Sequence, residues 1–139
     1  MTVLSFISMY IFMYSMVDKF SNVYSSLNQL YMAGVMTAPM VLIELAVMGA
    51  MYKDKKLNAI IALVSVIALI AFFAMIRAQT FVGDEQFLRS MIPHHAGAVL
   101  MCERAPVQDA EIKKLCQTII AGQQEEIAQM KAKLQTLEK

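Results

Sequence analysis

The longest uncharged stretch of the sequence limits its fold more than any other feature. Residues 57–76, LNAIIALVSVIALIAFFAMI, contain no charged side chain. Twenty residues of α-helix, at about 1.5 Å each, cover the roughly 30 Å hydrocarbon layer of a bilayer. A chain within lipid must satisfy its backbone hydrogen bonds internally, and a helix does so. We therefore expect this stretch to span a membrane.

Two further apolar stretches precede it. Residues 29–52 are long enough to span, although Pro39 and Glu44 interrupt them. The N-terminal stretch is short for a span, because its uncharged run covers only residues 2–17. It spans only if the helix continues past Asp18 or if the bilayer thins. We predict an anchor over residues 1–80, with spans at about 2–20, 29–52 and 57–77.

The charges around these stretches predict their orientation. Lys53, Lys55 and Lys56 lie in the connection between the second and third stretches, which the positive-inside rule places in the cytoplasm. Three spans then put the N-terminus in the cytoplasm and the chain beyond Arg77 outside it. In a bacterium this is the inner membrane, with the C-terminal part periplasmic or extracellular. A cleaved signal peptide is the alternative for the N-terminus, but no basic segment precedes the apolar run and no small-residue cleavage site follows it.

The second span also carries a regular row of methionines. Methionine or glutamate recurs there every four residues: Met32, Met36, Met40, Glu44 and Met48. This row is either a path for Cu(I) or, as we favour, ordinary packing against lipid and neighbouring helices. A carboxyl group inside the bilayer needs a partner, so we expect Glu44 to accept a hydrogen bond from a neighbouring helix.

The C-terminal part differs in composition, because residues 84–139 carry 15 of the 23 charged side chains. We expect one helix from Asp84, as its N-cap, to about Arg104, and a second helix from about Gln108 after Pro106. Apolar side chains of the second helix recur on one face, at positions 112, 116, 119, 127, 130, 134 and 137. The fold class is therefore all-α, with an antiparallel helical hairpin over residues 84–139. So short a hairpin has little core, so we expect oligomerisation to complete a four-helix bundle.

The first of these helices carries a cluster of possible metal ligands. Met91 lies four residues before His95, Met101 lies seven after His94, and Cys102 lies seven after His95. Thioether and imidazole groups suit copper, and particularly Cu(I). The structural alternative is one buried and one exposed histidine, with the methionines filling space.

A hairpin centred near residue 106 would place Met91 opposite about Gly122, with Gln123 beside it, and His94 opposite about Ile119. The same register offsets Cys102 from Cys116, so we do not expect an internal disulfide. An intermolecular disulfide remains open, as does a reduced Cys102 that acts as a secondary ligand of a soft metal.

Other classes of function lack a basis in the sequence. The net charge is +1, which gives no basic surface for nucleic acid. Two cysteines make neither a disulfide framework nor a four-thiolate zinc site. The pattern places no general acid or base, so we do not expect an enzyme.

Two blocks of sequence resemble one family in order. The run from Met91 to His95, with Asp84 and Phe87 before it and Ala98 and Met101 after it, resembles the signature of the domain-of-unknown-function family numbered 305. The run from Ile119 to Met130 resembles its second block. The matching positions there are Gln123, Glu126, Ile127 and Met130.

That family is ferritin-like and helical, is often exported, and is associated with copper binding and tolerance. The resemblance implies a principal set of copper ligands and a secondary set: Met91, His94, His95, Met101 and Met130, then Cys102 and Gln123. This chain departs from the family in its single short helix pair, which supports assembly between chains, and in its membrane spans.

The expected function is that of a membrane-anchored protein that captures or buffers copper outside the cytoplasm without turnover. The alternative is a small accessory subunit of a larger respiratory or transport complex, with the hairpin as its interaction surface.

Overall fold

The computed structural model describes residues 1–49 and 51–138, and the regular elements within these ranges are helical. The all-α prediction is confirmed. Five α-helices follow in order: α1 (Thr2–Phe12), α2 (Leu27–Met48), α3 (Lys55–Ala78), α4 (Asp84–Arg104) and α5 (Ala110–Leu137). Two short 3-10 helices, Met13–Met16 and Phe20–Asn22, lie between α1 and α2.

The chain divides into two compact units. The first contains residues 1–13 and 27–81, and therefore α1, α2 and α3. The second contains α4, α5 and residues 14–26, which we call the α1–α2 segment. This segment belongs to the same unit as the hairpin, although it precedes the hairpin by almost sixty residues of sequence.

Helices α2 and α3 of the first unit pack closely because Gly34 lacks a side chain. A Cβ atom at Gly34 would lie 2.5 Å from the ring of Phe72. The ring centroid of Phe72 lies 6.4 Å from that of Tyr31, and the Tyr31 hydroxyl donates a hydrogen bond of 2.9 Å to the Thr80 carbonyl. Within the described residues, α2 and α3 are the two helices long and apolar enough to cross a membrane.

The N-terminal helix is shorter than a continuous span over residues 2–20 requires. Helix α1 ends at Phe12 and is extended only by the 3-10 helix that ends at Met16. The Asp18 carboxylate then accepts hydrogen bonds from the Lys19 amide at 2.7 Å and from the Asn22 side chain at 2.6 Å. These local bonds stabilise a turn, so the helix does not continue past Asp18, which was one of the two conditions for a span over residues 2–20.

The carboxylate of Glu44 has a hydroxyl partner, but that partner is not on a neighbouring helix. Tyr52, in the connection after α2, donates a hydrogen bond of 3.1 Å to Glu44 Oε1. This bond and the charge of the carboxylate raise the pKa of Tyr52. Glu44 therefore bonds to the loop that follows its own helix.

The hairpin core lies towards the end distant from the turn. Ile92 and Ala96 of α4 pack with Ile127 and Leu134 of α5. This confirms the apolar face expected for α5, although the two ends of that face, at Ile112 and Leu137, are exposed. The side chain of Asp109 caps α5, and Gly83 takes the N-cap position of α4 that we expected Asp84 to hold.

The α1–α2 segment covers part of this core. Val17 and Tyr24 pack against the cluster formed by the two helices. Helix α4 comes close to this segment at Gly97, where the Met16 carbonyl oxygen lies 3.5 Å from the position that a Cβ atom would take, an ordinary van der Waals distance. The α1–α2 segment therefore shields part of the apolar core of the hairpin from water. Assembly of hairpins into a four-helix bundle stays a prediction.

Candidate metal centre

His95 is held by its own helix and directed at the next one. Helix α4 runs through Pro93 without interruption. Two residues later, the Nδ1 atom of His95 lies 2.9 Å from the carbonyl oxygen of Met91, one turn back along the helix. A carbonyl can only accept, so Nδ1 carries the proton and donates it. The Nε2 atom then lies 2.8 Å from Oε2 of Glu126 on α5.

This arrangement leaves one ring nitrogen for binding across the hairpin. A histidine whose Nδ1–H donates to a backbone carbonyl presents Nε2 in a fixed orientation, which is how many metal-bound imidazoles are held. Without a metal, Nε2 is in contact with the Glu126 carboxylate. The His95 side chain is 12% exposed and that of Glu126 is 56% exposed, so the pair lies at the rim of the hairpin.

The second histidine lies beside the first on the outside of the hairpin. His94 is exposed, and its ring centroid lies 5.9 Å from that of His95 at an interplanar angle of 67°. One half-buried and one exposed histidine is also what the structural alternative predicted. The neighbouring rings nevertheless place two imidazoles at one level of α4.

Two methionines flank the His95–Glu126 pair by spacing. Met91 lies four residues before His95, and Met130 lies four residues after Glu126. Because the two helices are antiparallel, both steps lead one turn away from the pair in the same direction. Both side chains are half-buried, and Met130 packs against the hairpin core.

The hairpin register expected from the position of the turn is wrong. That register placed Met91 opposite about Gly122. The observed contact between His95 and Glu126 shows that α5 lies about two turns away from its expected position along α4. Packing of Ile92 and Ala96 against Ile127 and Leu134 sets the observed register. The shift moves Met130, rather than Gly122, to the level of Met91.

The remaining candidate ligands lie at other levels of the hairpin. Met101 is 53% exposed and seven residues beyond His94, which is about 10 Å along the helix. Gln123 is half-buried and one turn before Glu126 on α5. Cys102 interacts with Cys116. The structure therefore groups Met91, His94, His95 and Met130, and places Met101 and Cys102 nearer the turn.

Glu126 is a potential ligand to which the sequence reasoning gave no role. It matched the second family block, but its contact with His95 depends on the hairpin register. Its spacing from Gln123 and Met130, three and four residues, would have placed all three on one face of α5. This shared face was the sequence feature from which Glu126 could have been predicted as a ligand.

The residue types present suit a soft cation more than a hard one. Within residues 1–49 and 51–138, no three or more His, Cys, Asp and Glu side chains come together as a metal site. The His95–Glu126 pair supplies one imidazole and one carboxylate, so an ion there requires Met91, Met130 or His94 as further ligands. Thioether and imidazole donors fit copper, whereas calcium and magnesium require more oxygen ligands.

Comparison with known proteins adds a family and a relative. The family model described as "Domain of unknown function (DUF305)" matches residues 44–134, which include both sequence blocks. An uncharacterised protein of Acanthamoeba polyphaga mimivirus is 35% identical over 106 residues, which are 75% of this chain and 68% of the relative. No solved structure matches the chain.

Proposed function

The chain belongs to the DUF305 family, and from this premise we propose that it is a membrane-anchored protein that captures or buffers copper through the hairpin. The observation that supports this most is the orientation of His95. Its ring is held by the Met91 carbonyl and directs Nε2 across the hairpin. Copper is here the cargo, and no turnover is proposed.

The proposed ligands form one group at the level of His95. Met91 and Met130 supply thioethers, His94 and His95 supply imidazoles, and Glu126 closes the site from α5. Two thioethers favour Cu(I) over Cu(II), because soft ligands stabilise the softer ion.

We further propose that a second copy of the chain covers the exposed apolar face of the hairpin. Four large apolar side chains there are about half exposed: Phe87, Met101, Ile112 and Leu115. Burying them between two hairpins would give a four-helix bundle, stabilised by the apolar area removed from water. Met101 and the secondary candidates Cys102 and Gln123 would then lie within the assembly.

The proposed topology places the hairpin outside the cytoplasm. Side chains at the beginning of α2 and the end of α3 meet, since Asn28 donates a hydrogen bond of 3.0 Å to Gln79. Two antiparallel spans then place residues 53–56 on the opposite side of the bilayer. Three lysines there favour the cytoplasm. In a bacterium, the membrane would be the inner membrane.

The test is copper binding by the full chain in mild detergent. Cu(I) is titrated against a chromophoric chelator, and X-ray absorption identifies the ligating atoms. To remove the thiols, Cys102→Ser/Cys116→Ser is the background for His95→Ala and Met91→Leu. We expect mixed sulfur and nitrogen ligation, and weaker binding in both variants. Unchanged affinity in both would refute the proposal, and isolation of a larger membrane complex by native pull-down would support the accessory-subunit alternative instead.

A further inference from the structure

Two cavities follow each other along the groove between α2 and α3. The cavity nearer the connection of the two helices has a volume of about 280 Å³ and is lined by Glu44 of α2 and Asn58 of α3, among others. The deeper cavity has a volume of about 350 Å³ and extends along the same helices to Gly34 and Phe72. Thr2 of α1 lines both cavities, so they adjoin each other.

The deeper cavity has the chemistry of a site for hydrocarbon. Its described lining carries no charged side chain. The hydroxyl of Thr37 donates a hydrogen bond of 2.7 Å to the Ala33 carbonyl of its own helix, so it does not require a polar ligand. From Asn58 to Phe72, α3 rises by about 21 Å, compared with about 15 Å for one leaflet of the hydrocarbon layer. The groove is therefore long enough for one acyl chain.

The cavity near the connection has a hydrogen-bond acceptor for a cationic ligand. The Tyr52 hydroxyl donates a hydrogen bond of 3.1 Å to Oε1 of Glu44, and the Tyr52 carbonyl accepts one of 3.2 Å from the Asn58 side chain. These bonds hold Tyr52 between α2 and α3. Among the described residues, no donor contacts Oε2 of Glu44, so this oxygen can accept a hydrogen bond from an ammonium group.

Positive charges lie next to this acceptor. Three exposed lysines follow Tyr52 within four residues, in the connection and the first turn of α3: Lys53, Lys55 and Lys56. Lysine binds phosphate as a point charge, and the N-terminus of a helix also favours an anion. The carboxylate of Glu44 and these lysines together complement a head group that carries both an ammonium and a phosphate.

We propose that the groove binds one phospholipid with a primary ammonium head group, taken from the surrounding bilayer. One acyl chain occupies the deeper cavity, the ammonium donates to Glu44, and the phosphate lies near the lysines. A primary ammonium has N–H groups to donate, whereas the quaternary ammonium of phosphatidylcholine has none. This inference rests on the membrane anchor of the proposed function and is independent of copper.

The experiment measures which lipid the full chain retains. The protein is reconstituted in vesicles of equal parts phosphatidylethanolamine and phosphatidylcholine with identical acyl chains, and is then extracted in mild detergent. Native mass spectrometry counts the bound lipids. We expect one lipid per chain, with phosphatidylethanolamine enriched several-fold. Equal retention of the two lipids, or of neither, overturns the proposal.

Two variants test the two ends of the groove separately. Glu44→Gln should abolish the preference while one lipid of either kind stays bound, and Glu103→Gln, an exposed carboxylate of the hairpin, is its control. Ala68→Phe fills the deeper cavity and should remove both lipids, whereas Ala71→Phe, on an exposed face of the same helix, should remove neither. An unchanged preference in Glu44→Gln, or unchanged retention in Ala68→Phe, overturns the assignment.

A further measurement needs no variant. Phosphatidylethanolamine with a photoreactive group at the end of one acyl chain should label the unaltered protein in α2 or α3 near Gly34 and Phe72, and labelling confined to other helices overturns the site. A chain that retains this lipid but binds no copper refutes only the proposed copper function. A chain that stays in the membrane and binds copper without lipid preference refutes only this inference.

Discussion

The imidazole of His95 bridges the two helices of the hairpin, because its Nε2 atom lies 2.8 Å from Glu126 Oε2 while its Nδ1 atom lies 2.9 Å from the Met91 carbonyl oxygen. One ring therefore joins the backbone of α4 to a side chain of α5. This contact defines the level at which Met91 and Met130 are neighbours by register.

The two adjacent histidines should contribute unequally to copper binding. His95 is oriented by the Met91 carbonyl, whereas His94 is exposed. In the thiol-free background, we expect His95→Ala to weaken Cu(I) binding by at least about tenfold, and by more than His94→Ala does. Competition titration measures both affinities, and a larger loss in His94→Ala would contradict the proposed orientation.

Glu126→Gln should weaken metal binding while changing the stability of the metal-free protein only slightly. The ion pair with His95 is partly exposed, so its loss should cost less than about 1 kcal/mol in the metal-free protein. Loss of the carboxylate should nevertheless weaken copper binding by about tenfold. The neighbouring exposed Glu125→Gln is the control, and thermal unfolding and titration are compared for both variants. Equal copper affinity in the two would exclude Glu126 from the site.

Ile92 should carry much of the stability of the hairpin. Its side chain is fully buried between α4 and α5. We expect Ile92→Ala to lower the free energy of unfolding by about 2–5 kcal/mol, through lost apolar burial and the cavity left behind. Ile112→Ala removes the same atoms from a side chain that is 48% exposed, and should cost less than 1 kcal/mol. Hydrogen exchange of the α4 and α5 amides reports both changes, and equal loss of protection would contradict the core assignment.

The N-cap of α5 should make a smaller contribution. The Asp109 carboxylate accepts hydrogen bonds from the amides of Glu111 and Ile112, at 2.9 and 3.0 Å. We expect Asp109→Ala to destabilise the hairpin by about 1 kcal/mol. Gln108→Ala, one residue earlier, keeps the cap and serves as the control. Thermal unfolding followed by circular dichroism checks the difference, and identical midpoints would argue against the cap.

The proposed topology predicts opposite labelling at two exposed positions. In the thiol-free background, Thr136→Cys lies in the hairpin and Lys53→Cys lies between α2 and α3. A membrane-impermeant thiol reagent added to intact cells should label Thr136→Cys alone, and cell lysis should expose Lys53→Cys. The reverse pattern would place the hairpin in the cytoplasm.

Local patterns of the sequence were sufficient for most helices. The uncharged stretch at 57–76 predicted α3, found at Lys55–Ala78, and the apolar face of the last helix predicted α5. These predictions succeed because helix formation and burial depend on side chains within a few turns of each other. The predicted length of the N-terminal helix is wrong for an equally local reason. Asp18 accepts hydrogen bonds that stabilise a turn, where the span predicted over residues 2–20 would have continued the helix.

The sequence by itself determined that the chain is helical, predicted the two long apolar helices together with a third, marginal span at the N-terminus, and indicated which side chains are candidate metal ligands. Only the tertiary structure decided which candidates meet. Residues far apart in the chain are brought together by the packing of Ile92 and Ala96 against Ile127 and Leu134, and not by the position of the turn. The resulting slide of about two turns along α5 brings Glu126 to His95 and Met130 to the level of Met91, because every cross-helix pair changes with the register.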